Sequence, residues 1–258
     1  MADGQFAGDV AGIVREAGRH ALAQWRTDFQ RWEKSPGNPV SEVDLAVDAL
    51  LRARLAALVP EAGWLSEETA DHPDRLTRRL LWVVDPIDGT RDFIRGRAGW
   101  CVSVALVEDG LPIIGVLDAP ARAETWVATL GGGASRNGVV LRASNRQTLA
   151  GARVPTDALS KADRDFAMVD KPNSIALRIA MVAADEADLV ATLRWGNEWD
   201  IAAATLIAIE AGASATDALG AELVFNKREP QAFGVLAAAP GIHAAAVTRL
   251  AARAAALR

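Results

Sequence analysis

Val10, Ile13, Val14, Ala17, Ala21 and Trp25 recur at three- and four-residue steps. That spacing predicts an amphipathic helix from about Phe6 to Phe29. The prolines and glycine of Arg31–Pro39 (RWEKSPGNP) break the pattern. Ser41-Glu42-Val43-Asp44 has the form of a capping box and opens a second helix through Val59, which Pro60 and Gly63 end. Trp64-Leu65 then leads into Ser66-Glu67-Glu68-Thr69, and Ala70–Arg79 reads as a polar surface loop. Leu80–Val84 is an unbroken apolar run of strand length. Asp85–Thr90 is a turn rich in acid, Pro and Gly, with a helix start at Thr90. Trp100–Val107, Leu111–Leu117 and Glu124–Thr129 are separated by Glu108-Asp109-Gly110 and Asp118-Ala119-Pro120, which predicts an antiparallel meander. Gly131-Gly132-Gly133 lacks the Lys-Ser/Thr of a phosphate-binding loop and reads as a turn.

Composition turns polar at Arg142–Thr148, dividing the chain into a 1–148 α+β half and a 149–258 α/β half. In the second half a short strand (Gly151–Pro155) precedes a helix over Ser174–Ala184 and a strand over Ala187–Leu193. A helix over Asp200–Ala211 closes at Gly212, followed by strands at Ser214–Asp217 and Phe233–Ala237 and an Ala-rich helix over Ile242–Leu257. The alternation predicts a mixed α/β layered fold.

Composition narrows the function classes. The 258 residues are half apolar and a quarter charged, as in globular proteins generally. A net charge of −5 argues against a broad nucleic-acid face while leaving room for a local basic pocket. Cys101 is the single cysteine, which excludes an intrachain disulfide and a Cys-built zinc site; it reads as a small buried hydrophobe. MADGQFAGDV has neither the charged region nor the apolar core of a signal peptide. No apolar stretch nears the ~20 residues that span a bilayer. The expectation is a cytoplasmic protein without stable membrane association.

The chemistry concentrates where the apolar strand meets the acidic turn. Asp85 and Asp88 lie three residues apart, Pro86 fixes φ between them, and Gly89 lets a ligand approach the backbone. Carboxylates, free carbonyls and the Thr90 hydroxyl form a hard-oxygen set suited to Mg²⁺. An ordinary β-turn with an Asp cap on the next helix uses the same residues. Asp44, Glu67 and Asp200 also sit at element starts or in turns beside apolar segments, where each alone suits a helix-start acid or a solvated loop. Convergence of all these acids would require cations among them.

The sequences around the acids carry a resemblance. Trp82-Val-Val-Asp85-Pro-Ile-Asp88-Gly-Thr90 resembles the signature of the inositol monophosphatase family of magnesium-dependent phosphomonoesterases. Trp199-Asp200-Ile-Ala-Ala is similar to its second motif, Ser66-Glu67-Glu68-Thr69 to its Glu-Glu-Ser/Thr loop, and Pro39-Val-Ser-Glu-Val-Asp44 to its N-terminal Asp motif. All occur in family order over roughly Lys34–Ala239. The resemblance implies an αβαβα sandwich of the inositol monophosphatase/fructose-1,6-bisphosphatase type. It implies one Mg²⁺ among Glu67, Asp85, the Ile87 carbonyl and Thr90, a second held by Asp85, Asp88 and Asp200, and a looser third near Glu67. Gly89 and Thr90 amides would face the phosphate, and Thr90 with Asp44 would orient and deprotonate the attacking water. Inhibition by Li⁺ and Ca²⁺ is implied as well, and a homodimer is a possible assembly.

Motif detail bears on the substrate. Seven residues before Asp200, where inositol phosphatases carry Glu, stands Leu193. Asp88-Gly-Thr-Arg91-Asp92-Phe93 and Glu198-Trp199-Asp200 resemble the 3′(2′),5′-bisphosphate nucleotidases often called CysQ. Ser174–Arg178 (SIALR) is similar to their substrate-facing helix. This implies substrate contacts from Arg178, Ser174, Glu198 and, by stacking on adenine, Trp195. The expected substrate is 3′-phosphoadenosine 5′-phosphate; myo-inositol monophosphate follows, then histidinol phosphate, which Asp88-Gly-Thr-Arg91 with Phe93-Ile94 also suits. Outside enzymes, the alternative is a regulatory binding protein on the same fold.

Overall fold

The computed structural model describes residues 4–258. Its centre is a seven-stranded sheet formed by β3 (Gly63–Ser66), β4 (Leu80–Asp88), β5 (Cys101–Glu108), β6 (Leu111–Ala119), β7 (Glu124–Thr129), β8 (Gly133–Arg136) and β9 (Val139–Val140), in that spatial order. β3 and β4 are parallel and the rest antiparallel, so the expected meander is present. Period-two alternation sorts the core. Trp82, Val84, Val102, Val104 and Val116 face α1 (Gly4–Gln24) and α2 (Glu42–Leu58). Leu81, Val83, Ala105, Val107 and Leu117 face the opposite side, toward α4 (Ile175–Ala183) and α5 (Glu198–Glu210).

Beyond α4 and α5 lies a small sheet of β12 (Leu189–Ala191), β16 (Leu236–Ala238) and β14 (Ser214–Thr216). Its Val190 and Ala237 face α4 and α5, while Leu189, Leu236 and Ala238 face α6 (Pro240–Leu257). The layers therefore run helix, sheet, helix, sheet, helix, as the resemblance implied. Among the described residues no helix is long and apolar enough to cross a membrane.

Local expectations need correction in places. The first helix stops at Gln24, because Arg26 takes a left-handed φ of 66° and its Nε donates to Gly96 O. The segment read as a break forms an exposed hairpin, β1 (Arg31–Ser35) with β2 (Asn38–Ser41), turning at Gly37 with φ 76°. The polar loop before β4 contains one turn of 3₁₀ helix. Two unforeseen short pairs complete the second half: β10 (Arg153–Pro155) with β11 (Ala167–Val169), and β13 (Trp195–Asn197) with β15 (Gln231–Phe233). The expected strand over Phe233–Ala237 is split at Gly234, whose φ of 67° sends the chain from one small sheet to the other.

One packing detail fixes the depth of α5. Ala105, Gly115 and Ala128 lie side by side across β5, β6 and β7, with Ala134 beyond them on β8. This row of small residues seats α5 directly on the sheet: a Cβ on Gly115 would lie 2.6 Å from Ala203 O. Backbone cannot yield as a side chain does. Gly115→Ala should therefore cost about 1–3 kcal/mol, an overpacking cost, and lower Tm by several degrees. An unchanged melting curve would refute this seat.

Candidate active site

The acidic turn is built by a bulge. Asp85 pairs with Ser103 and Asp88 with Cys101, so three steps on β4 oppose two on β5. In a regular strand, residues three apart point to opposite faces. The extra residue resets the alternation, buries Ile87 among the α1–α2 side chains, and turns Asp85 and Asp88 to one face. Asp85 Oδ1 accepts from Ile87 N at 3.1 Å, which holds the turn closed. Gly89 follows with φ 95°; a Cβ there would lie 2.7 Å from Gly99 O. Glycine is required at this step, which starts the short α3 (Thr90–Ile94).

Asp44 and Asp200 reach the site by a shared device. Each is the third helical residue and closes a capping box, at the starts of α2 and α5. Asp44 Oδ2 accepts from Ser41 N at 2.8 Å and Ser41 Oγ at 2.5 Å; Asp200 Oδ2 accepts from Asn197 N at 3.0 Å. One oxygen of each caps its helix; Asp44 Oδ1 lies 3.4 Å from Thr90 Oγ1, and Asp200 lines the cleft. Glu67 follows β3 at the same end of the sheet, its N–H donating to Val84 O at 3.2 Å. Carboxylate oxygens of Glu67, Asp85 and Asp200 lie within 4.8 Å of one another.

Asp88 faces the same cleft but turns Oδ2 to Ser174 Oγ at 2.5 Å and Ala176 N at 2.7 Å. Thr90 Oγ1 has two acceptors within reach, Ile87 O at 3.0 Å and Asp44 Oδ1 at 3.4 Å.

Burial is the main force on these acids. It pushes the Asp44 carboxyl up to about 6, Asp88 to about 6 and Asp200 to about 8, and raises Asp85 strongly. Mutual repulsion adds to this for Asp85 and Asp200. Among the described residues one cation forms ion pairs in this cluster: Lys34 of the hairpin, with Nζ 2.8 Å from Glu67 and 2.9 Å from Glu68. Glu68 is nevertheless pushed up to about 7, chiefly by burial. An all-oxygen donor set with unneutralised charge fits a hard divalent cation such as Mg²⁺.

The cleft over these groups holds about 190 Å³ and is basic on its rim, where Arg91, Arg178 and Arg194 line it with Asn173. Arg178 Nε donates to Ser174 O and Nη2 to Asn173 O. Burial, together with the neighbouring Arg194, pulls the Arg178 guanidinium below its ordinary pKa. Three expected substrate contacts stand elsewhere. Ser174 is fully buried, caps α4 and holds Asp88. Glu198 is fully buried too, accepting from Asn226 N and Lys227 N, so it fastens a loop rather than touching the cleft. Trp195 is half exposed, outside the cleft lining, and packs edge-on against Phe233.

Lys34, Arg194 and Asn173 went unforeseen. Lys34 lies in the segment read as a break, and nothing local signals its reach to Glu67. Arg194 falls one residue past the expected strand end, although its place six residues before Asp200 offered a hint.

The inositol monophosphatase family profile matches residues 7–256. The chain belongs to the inositol monophosphatase family. It is 32% identical over 235 residues to a 3′(2′),5′-bisphosphate nucleotidase CysQ of Aggregatibacter actinomycetemcomitans, covering 86% of this chain and 87% of that one. It is 34% identical over 209 residues to inositol monophosphatase 2 of Solanum lycopersicum, covering 73% and 78%. The IMPase of Thermotoga maritima superposes with a TM-score of 0.81 at 29% identity, covering 94% and 95%. As a member of this generally Mg²⁺-dependent family, the chain is a phosphatase, a hydrolase of phosphoric monoesters.

The raised carboxyls make a prediction for the metal-free protein. Asp44, Glu68, Asp88 and Asp200 rise from 3.8 or 4.5 to between about 6 and about 8, so the folded state holds protons that the unfolded state releases. Stability then falls as pH rises through that window. His243, lowered by burial, opposes this only below its ordinary 6.5. In EDTA, Tm should drop between pH 6 and 8, and added Mg²⁺ should raise Tm most at the upper end. A Tm that climbs with pH in EDTA would contradict these assignments.

Proposed function

We propose that this phosphatase hydrolyses a small metabolite bearing two phosphates, 3′-phosphoadenosine 5′-phosphate to AMP and phosphate, with Mg²⁺ in the acid cluster. The observation that carries the reading is the Arg178–Arg194 pair. The two guanidiniums are close enough for Arg194 to depress Arg178, both line the cleft, and among the described residues neither forms an ion pair with a carboxylate. Neighbouring cations whose charge is offset only at a distance, by Asp88 and Asp157 on Arg178 and by Asp200 beside Arg194, suit a second phosphate away from the scissile one. The Asp-Gly-Thr-Arg91-Asp92-Phe93 motif and the similarity to a CysQ nucleotidase support the same substrate.

In this reading Glu67, Asp85, the Ile87 carbonyl and Thr90 hold one Mg²⁺, Asp85, Asp88 and Asp200 a second, and Glu67 borders a looser third. When bound, Mg²⁺ neutralises the phosphate dianion, acidifies water and supports the leaving alkoxide. Gly89 and Thr90 amides bind the scissile phosphate at the start of α3. Thr90 and Asp44 orient the attacking water, and Asp44, with its carboxyl near 6, takes the proton. Attack is in line, without a phosphoenzyme. The 1–148 half supplies all of these groups except Asp200, which the 149–258 half brings with both arginines. Li⁺ and Ca²⁺ inhibit, Ca²⁺ because its longer, looser coordination holds reacting groups less tightly. The protein works in the cytoplasm, and a homodimer is its proposed assembly. Myo-inositol monophosphate is the second reading, favoured by the similarity to the tomato inositol monophosphatase.

A panel of phosphate esters assayed side by side tests the substrate. 3′-Phosphoadenosine 5′-phosphate should show the highest kcat/KM. Arg194 is exposed and among the described residues makes no side-chain hydrogen bond, so Arg194→Ala is the cleaner probe; Arg178 also braces α4. Arg194→Ala should lower kcat/KM for the bisphosphate ~10- to 100-fold, the worth of a charge-assisted contact, and leave 2′-AMP or inositol monophosphate nearly unchanged. Equal losses on both kinds of substrate, or none, would contradict a second-phosphate site.

A further inference from the structure

Asp48 lies on α2, one turn beyond Asp44, and is only 7% exposed. It does not line the catalytic cleft. Oδ1 accepts from Ser66 Oγ at 2.5 Å, and Oδ2 accepts from Thr69 Oγ1 at 2.6 Å. Those hydroxyls flank Glu67 and Glu68. Ser66 Oγ also accepts from Glu68 N at 3.3 Å. Both ends of the acidic loop are thus fastened to one buried carboxylate.

A further buried acid beside a cluster of acids is a costly choice unless it does something an apolar residue cannot. Among the described residues Asp48 forms no ion pair, so its charge is met by hydroxyl donors alone. The loop it fastens is under strain from its own charge. Glu67 is driven toward Asp85 and Asp200, within 4.8 Å, and like charges at that range push it outward. Lys34 offsets part of this from an exposed hairpin. Asp48 restrains the loop from the buried side.

We propose that Asp48 is a positioning residue for the metal site: through Ser66 and Thr69 it holds the Glu67 carboxylate against Asp85 and Asp200, and so sets the affinity for Mg²⁺. The inference rests on the metal-dependent reading above. Groups that orient a ligand from behind typically change metal affinity 10- to 100-fold when removed.

Calorimetric titration of the purified full chain with Mg²⁺ tests it. Asp48→Ala should weaken binding about 10-fold or more, and Asp48→Asn, which keeps the volume and can still bond both hydroxyls, should weaken it less. Activity of Asp48→Ala at limiting Mg²⁺ should recover as Mg²⁺ is raised, with KM for the phosphate ester unmoved. Thr69→Val removes one tether, leaves Asp48 in place, and carries the test should Asp48→Ala not fold. It too should weaken binding, and its effect should not add to that of Asp48→Ala. Mg²⁺ affinity within twofold of wild type in Asp48→Ala and Thr69→Val, with only Tm lowered, would reduce Asp48 to a structural residue and overturn the proposal. Wild-type protein that takes up no Mg²⁺ would overturn the metal reading and this inference with it.

Discussion

Carboxylates brought together out of water repel each other and resist ionisation, and this protein gathers them at the one end of its sheet where the chain also supplies hydroxyl, carbonyl and amide groups. Asp85 and Asp200 are raised both by burial and by their neighbours' charge. Such a cluster is a poor choice for stability, because the energy of assembling it comes from contacts elsewhere. Its charge suits ligands of the opposite sign. A phosphate monoester dianion would be expelled by the same field, which is why the acids and the arginine rim make sense together only with cations between them.

The fold meets this constraint with rigid devices. The bulge on β4 turns Asp85 and Asp88 to one face without a loop that could relax away. The capping boxes of α2 and α5 commit one oxygen each of Asp44 and Asp200 to backbone donors, which fixes the direction of the other. α5 is held at depth by the row of small residues beneath it, so the position of Asp200 depends on Gly115 and Ala128 well away from the chemistry. Ser174 holds Asp88 from a buried position by donating to it, while Asp48 fastens the Glu67 loop from the buried side by accepting from Ser66 and Thr69.

Sequence exposed this arrangement unevenly, for physical reasons. The Ser41–Asp44 box was legible because its signature is local. The matching box on α5 starts at Asn197 rather than Ser or Thr, and the helix begins two residues before Asp200, the expected start. The bulge depends on register with β5, which no window along β4 contains. The seat of α5 depends on residues aligned across strands, again a property of pairing. The hairpin over Arg31–Ser41 has a fully exposed first strand, so it shows no alternation to betray it. Ser174 and Glu198 were expected as substrate contacts because the motifs around them resemble those of the nucleotidases. Both are fully buried, which no sequence window reveals, and their side-chain oxygens bond to protein groups.

The central claim is that the converged acids work only with a divalent cation among them, and the most direct measurement is phosphate release from a simple monoester with and without metal. The account predicts no turnover in EDTA and full recovery on adding Mg²⁺. Undiminished hydrolysis in EDTA would contradict it, since the cleft would then be attacking a dianion with nothing to offset its own negative charge.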